Sequence, residues 1–234
     1  MAPTMFGLAP RPFLALPAML AGLGLLAACT MLPDEARAPG EAPRNAPPAA
    51  ESREGRQCLA ALAATGAVFT PLPDRAPQGG CSALNSVQLS SVPSDGGRLM
   101  IGNLGPATCG VTSAFAGWAR YGADRAARQI LGSPLRSIET FGSYSCRNVA
   151  GSGRRSAHAT AEAIDVSAFV LADGRRITVL GDWEGGSESE RAFLRTVQRS
   201  ACRRFATVLG PDYNAAHRDH FHLEREAKGG SYCR

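Results

Sequence analysis

Only four histidines occur in the 234-residue chain, and three of them fall in "HRDHFHLE", residues 217–224. The fourth, His158, stands in "SAHATAEAID", seven positions before Asp165. This distribution constrains the fold more than any other feature. If the histidines act together, two segments far apart in the chain must lie side by side. Residues two apart on a strand share a face, so "HFHLE", read as a strand, would turn His220 and His222 into one pocket. "AIDVSAF" reads as a neighbouring strand that would project Asp165 toward it, and the loop before that strand would carry His158 to the same point.

Two imidazoles, one carboxylate and an open fourth position form the ligand set of a catalytic zinc site. Zinc brings the pKa of a bound water to about 7, which makes hydroxide available at neutral pH. A lone histidine is more often structural, and a His-x-His pair or a His-x₆-Asp spacing alone is weak. The combined use of every histidine in the chain is what points to a metal.

Apolar residues make up 44% of the chain and charged ones 19%, a composition that supports a real core. The net charge is +5, and Lys228 is the only lysine among the basic residues. The arginines are scattered in short pairs without interleaved aromatics, which excludes a nucleic-acid partner.

The first residues, "MAPTMFGLAPRPFLALPAMLAGLGLLAACT", hold one arginine, then an apolar run, then Leu-Ala-Ala-Cys ending at Cys29. A short apolar segment before a small-residue site reads as a secretory signal over 1–28. The run is broken by Pro17 and glycines, which suits a membrane span poorly. Leu-Ala-Ala-Cys resembles a bacterial lipobox, which implies lipidation at Cys29 and, with Thr30 following, sorting to the outer membrane on its periplasmic side. Residues 29–55, rich in Pro, Ala and charge, read as a disordered tether, and 56–234 as the folded domain. Without Cys29, six of the seven cysteines remain: Cys58, Cys81, Cys109, Cys146, Cys202 and Cys233. An even set in an exported chain indicates disulfides, expected as 58–81, 109–146 and 202–233. No Cys-x-x-Cys pair supports a cysteine metal site.

Along the domain, "QCLAALAATGAVFTPLP" begins as a helix and ends at a proline turn, and "SVQLSSV" alternates like a strand. "RLMIGNLG" reads as a further extended piece. A helix is expected from Val111 to Leu131, with Phe115, Trp118, Ala119 and Ile130 inward and Gly132 and Pro134 ending it. "LRSIETFGSYSCRNV" reads as a strand entering a turn. "AIDVSAFVLADGRRITVL" reads as two strands about an Asp-Gly turn. "SESERAFLRTVQRSACRRFATVLG" is expected as one long helix capped by Ser187 or Ser189, with Phe193, Leu194, Val197, Ala201, Phe205 and Val208 in the core. Helices first and an antiparallel sheet later predict an α+β domain, a central antiparallel sheet with flanking helices.

"SAHATAEAIDVSAF" with "HRDHFHLE" resembles the bacterial extensin-like C-terminal domain family. That family is similar to the LAS-type zinc peptidases, which include D-Ala-D-Ala carboxypeptidases, murein endopeptidases and the hedgehog signalling domain. The resemblance implies a LAS/hedgehog-like core, a zinc cofactor held by His158, Asp165 and His222, and peptidoglycan peptides as partners. It implies His220 beside the metal as base or oxyanion donor. Asp219 lies three before His222, where relatives place a catalytic acid, but strand alternation turns it away unless a bulge intervenes. His217 resembles an additional active-site histidine, or is a loop residue closing "PDYNAAH". Arg147, in "SYSCRN", matches a substrate-binding arginine able to hold a carboxylate or oxyanion, or is a surface arginine. Ser156 matches a serine that donates to substrate or orients the loop.

One departure from the family stands at Ala161, where relatives carry glycine. A positive φ there would cost alanine about 1 kcal/mol. Three functions are therefore expected in order: an envelope metallopeptidase acting on peptidoglycan; a zinc-stabilised module that binds wall peptides or an envelope partner without turnover; and a disulfide-rich structural domain without metal.

Overall fold

The computed structural model describes residues 51–77, 79–226 and 228–234. The signal segment and Cys29 lie outside the described residues. No described helix is long and apolar enough to cross a membrane.

The elements run α1 (Arg53–Ala64), β1 (Val68–Pro71), β2 (Ser86–Ser94), β3 (Gly97–Gly102), β4 (Ala107–Thr108), α2 (Cys109–Trp118) and β5 (Leu135–Gly142). They continue as β6 (Ala163–Leu171), β7 (Arg176–Thr178), α3 (Val179–Gly185), α4 (Glu188–Ala201), β8 (Phe205–Leu209), β9 (Phe221–Glu226) and β10 (Tyr232–Cys233). The strands form one ten-stranded sheet in the order β1-β2-β3-β5-β6-β9-β8-β10, with β4 on β2 and β7 on β6.

The sheet is mixed rather than purely antiparallel. β3 runs parallel to β5, and β8 parallel to β10. A parallel pair needs a crossover, and the helical segment between β4 and β5 supplies the one from β3. It starts at Cys109, two residues before the expected Val111. It continues past Trp118 in wider, i→i+5 bonded turns at Ala119–Asp124 and Ala127–Leu131, and Gly132 ends it at φ 69°. Buried Asp124 ties this helix end to β5, accepting the Leu135 N–H at 2.9 Å and pairing with Arg128 at 3.0 Å.

The expected helix from Ser187 to Gly210 is two elements. α4 opens with a capping box, in which Ser187 Oγ accepts the Glu190 N–H and the Glu190 carboxylate accepts the Ser187 N–H. It ends at Ala201. Phe205 and Val208 are buried as expected, but they lie on β8, which pairs along its length with β9. Their spacing of three matches a helix by coincidence, and pairing with β9 overrides it. α3 and β10 carry no clear pattern of their own.

One face of the sheet packs on the helices around Trp118, Phe169, Phe193, Phe205 and Phe221, all fully buried. The Trp118 indole N–H is satisfied by the Val197 carbonyl and Ser200 Oγ, both at 3.0 Å. A bulge in β6 keeps that face continuous. Ala168 faces Glu139 and Val166 faces Thr140, so Ser167 is the extra residue. Ile164 and Val166 before it and Phe169 and Leu171 after it therefore all join the core. Trp183, on α3, donates its indole N–H to Asp212 at 2.9 Å and carries Arg195 over its ring.

Two of the expected disulfides are re-paired. The bonds are Cys58–Cys109, Cys81–Cys146 and Cys202–Cys233. α1 packs on α2, which brings the Cys58 and Cys109 Cα atoms to 6.1 Å. The loop after β1 crosses the loop after β5, which brings those of Cys81 and Cys146 to 5.6 Å.

Candidate metal centre

Asp165 and His222 are directly opposed across the antiparallel pair β6–β9. Their neighbours Ile164, Val166, Phe221 and Leu223 face the core. Strand alternation therefore puts Asp165 and His222 on the other face, as one cross-strand pair.

His158 arrives from a helical turn, Ala157–Thr160, in which Ser156 Oγ accepts the His158 N–H. Ala161 ends the turn in the left-handed conformation, φ 55° and ψ 27°. This is the positive φ that makes glycine the easier residue at this position. The turn is tied down from two sides. The Ser82 N–H donates to the Ala159 carbonyl at 2.8 Å, and the Ser145 N–H to the His158 carbonyl at 3.0 Å. The Cys81–Cys146 disulfide joins the same two flanking segments.

The three side chains converge. His158 Nε2 lies 3.1 Å from His222 Nδ1 and 3.1 Å from Asp165 Oδ2, and His222 Nδ1 lies 3.0 Å from Asp165 Oδ1. All three residues are buried. The far nitrogens decide the tautomers. His158 Nδ1 sits 2.5 Å from the Ser143 carbonyl, which can only accept, so this nitrogen carries the proton. His222 Nε2 sits 3.3 Å from Glu224 Oε2. Hydrogen bonding from His222 holds Glu224 below its ordinary pKa, against its burial, so it is an ionised acceptor. With both outer nitrogens protonated, neutral rings turn two bare lone pairs toward each other and toward a carboxylate. Three acceptors face one point with no donor among them, an arrangement that only a cation in the middle stabilises.

A proton or a metal can be that cation. Without metal, burial is the largest influence on His222 and opposes its charge. The hydrogen bonds with Asp165 and Glu224 outweigh it and raise the pKa to about 9. Burial pushes the Asp165 carboxyl up, yet hydrogen bonds from His158 and His222 hold it well below its ordinary value. A metal fits by size. Tetrahedral zinc with bonds of about 2.0–2.2 Å sets its ligand atoms roughly 3.3 Å apart, close to the separations found. The outer hydrogen bonds to Ser143 and Glu224 are the orienting contacts that metal-binding imidazoles use.

His220 lies beside the trio. Its Nε2 is 3.5 Å from Asp165 Oδ1, its Nδ1 is 2.8 Å from Asp219 Oδ1, and its ring meets Phe141 edge-on. Asp219 thus lies on the far side of His220 rather than facing His222. His217 is held by Asn214 at 2.8 Å and meets the Tyr213 ring edge-on. Burial, then the charges of His220 and His222, lower its pKa to about 4, so it is neutral at pH 7. A cleft of about 460 Å³ opens over this group, and His217, His220, His222, Arg147 and Ser156 all line it. Arg147 is exposed at its edge.

Sequence reasoning missed Glu224, Ser143, Tyr213 and Asn214. Glu224 was readable in principle, because it stands two residues after His222 and so shares its face. The Ser143 contribution is a backbone carbonyl, which no residue type announces.

The fold and site define a class: a disulfide-bonded mixed α/β domain with a buried His–Asp–His cluster at the floor of an open cleft. A family described as "Extensin-like protein C-terminus" matches residues 56–234, and the chain belongs to this family. No curated protein and no solved structure matches it.

Proposed function

We propose that the domain is a zinc-dependent hydrolase of amide bonds in peptidoglycan stem peptides or cross-links, built on a LAS-type core. Export and a lipid anchor at Cys29 would hold it at the outer membrane, facing the wall. The observation that carries this reading is the convergence of three lone-pair donors at zinc-ligand spacing, with both outer imidazole nitrogens fixed by acceptors.

His158, Asp165 and His222 would hold the ion, which supplies Lewis acidity toward a carbonyl and a water that ionises near neutral pH. The chain's own groups do the rest. His220, oriented through Nδ1 by Asp219, presents Nε2 beside the trio. It takes the proton of the attacking water and returns one to the departing amine. Water is thereby added across the C–N bond, giving a carboxylate and an amine. Arg147 on the cleft edge holds a substrate carboxylate. His217, neutral and with its one N–H on the Asn214 side-chain oxygen, turns Nε2 as an acceptor toward the cleft.

The test is the purified domain with muropeptides, with and without chelator. Amide cleavage that chelator abolishes and zinc restores is the expected result; identical products on chelation would sink the zinc mechanism. His220→Ala is expected to keep its zinc and lose about 10²–10⁴-fold in kcat. Bound zinc with no turnover in either protein would instead indicate a binding module.

A further inference from the structure

The loop between β5 and the His158 turn is a small hairpin. The Val149 N–H donates to the Arg154 carbonyl at 2.9 Å and the Ser156 N–H to the Arg147 carbonyl at 3.2 Å, while Asn148 bridges Arg155. Alternation along its two arms sorts the side chains. Arg147, Val149, Arg154 and Ser156 line the cleft, whereas Arg155 turns from it and bonds Asn148 at 2.8 Å. One hairpin face therefore offers two guanidinium groups to one cavity. Among the described residues neither is paired with a carboxylate, in contrast to Arg175, Arg176 and Arg225.

Both arginines line the same cleft from one hairpin face. Among the described residues, the one acid lining the cleft beside them, Glu224, is already engaged by His222 and Arg225. Tyr213 and Tyr232 also line the cleft, meeting edge-on with centroids 6.2 Å apart. Two like charges held in one cleft repel, and a guanidinium is geometrically matched to a carboxylate.

We propose that Arg154 is a second carboxylate subsite, so that the cleft selects peptides carrying two free carboxylates, one for Arg147 and one for Arg154. This rests on the hydrolase reading for its substrate class, but binding alone tests it. The probes are matched short peptides with both carboxylates free, or with one or the other converted to carboxamide. Their affinities for the zinc-loaded protein are measured by calorimetry, and kcat/KM is measured where turnover occurs. The doubly free peptide is expected to bind about tenfold or more tightly than either amide. Arg154→Gln is expected to erase the discrimination at one carboxylate and keep it at the other, and Arg147→Gln the reverse. Arg155→Gln, on the hairpin's other face, is expected to keep both. Equal binding of free and amidated peptides by the unaltered protein, or full discrimination in Arg154→Gln, would overturn the proposal. Absence of hydrolysis with discrimination intact would instead refute the hydrolase reading and leave the subsite standing.

Discussion

At the scale of single residues, the centre is a problem of protons. In the metal-free protein the His222 pKa is raised from 6.5 to about 9. Its favourable contribution is therefore complete below pH 6.5 and lost as pH rises through about 9. Asp165 is shifted the other way, so its contribution is complete above its ordinary 3.8 and lost as pH falls further. The cluster favours the metal-free fold most between these values. Zinc must displace the His222 proton, so apparent zinc affinity should rise about tenfold per pH unit from pH 6.5 to 8.5. Competition against a chromophoric chelator measures this, and a flat profile would refute the proton assignment. Ala161 supplies a second prediction. Relief of its left-handed strain by glycine, about 1 kcal/mol, is nearly offset by loss of a fully buried methyl, about 0.8 kcal/mol. Ala161→Gly should thus leave stability within about 1 kcal/mol, while Ala161→Val should cost about 2 kcal/mol or more, because a β-branched residue resists this backbone. Denaturant midpoints separate the two. The ligand residues were legible in the sequence because their chemistry is rare in this chain. Ser143 was not, because a backbone carbonyl acquires meaning only through position, whereas Glu224 was within reach of the strand spacing from His222.

At the scale of elements, β6 was readable as a strand before an Asp-Gly turn and β9 as the strand carrying His222, with His220 one residue before its start. The helix expected through Phe205 failed because two buried residues three apart fit the helical period, while the pairing of β8 with β9 that decides the element is not a local signal. Cys202–Cys233 was expected and is present; the other two disulfide pairings failed for a different reason: which cysteines meet depends on how α1 lies on α2 and how two loops cross, and spacing encodes neither. The corrected pairing matters to the site. Cys81–Cys146 closes a 65-residue separation and clamps both segments that bond the His158 turn. Replacing both cysteines by serine should cost about 2–5 kcal/mol and weaken zinc more than the same change at Cys202 and Cys233, whose bond ties α4 to edge strand β10. Thermal unfolding and metal titration of both double variants check this; equal zinc affinities would show the clamp to be irrelevant to the centre.

At the scale of the whole molecule, the sheet divides labour between its faces. Helices and aromatic side chains cover one, and Asp165 and His222 project from the other, with the β6 bulge keeping the first continuous. A large sheet with flanking helices was legible from the expected elements, but the helices are interleaved with the strands rather than placed first, and the two parallel pairings depend on a crossover and a late edge strand that local pattern does not report. The indole on α3 has a practical consequence. Trp183 is bonded to Asp212, next to Tyr213 and Asn214 on the cleft wall, and the only other tryptophan, Trp118, is sealed in the core. The protein thus carries its own optical gauge of occupancy. In a Trp118→Phe variant, emission should change when a peptide seats in the cleft and stay constant when the peptide is omitted, so that loading can be followed by fluorescence without a dye.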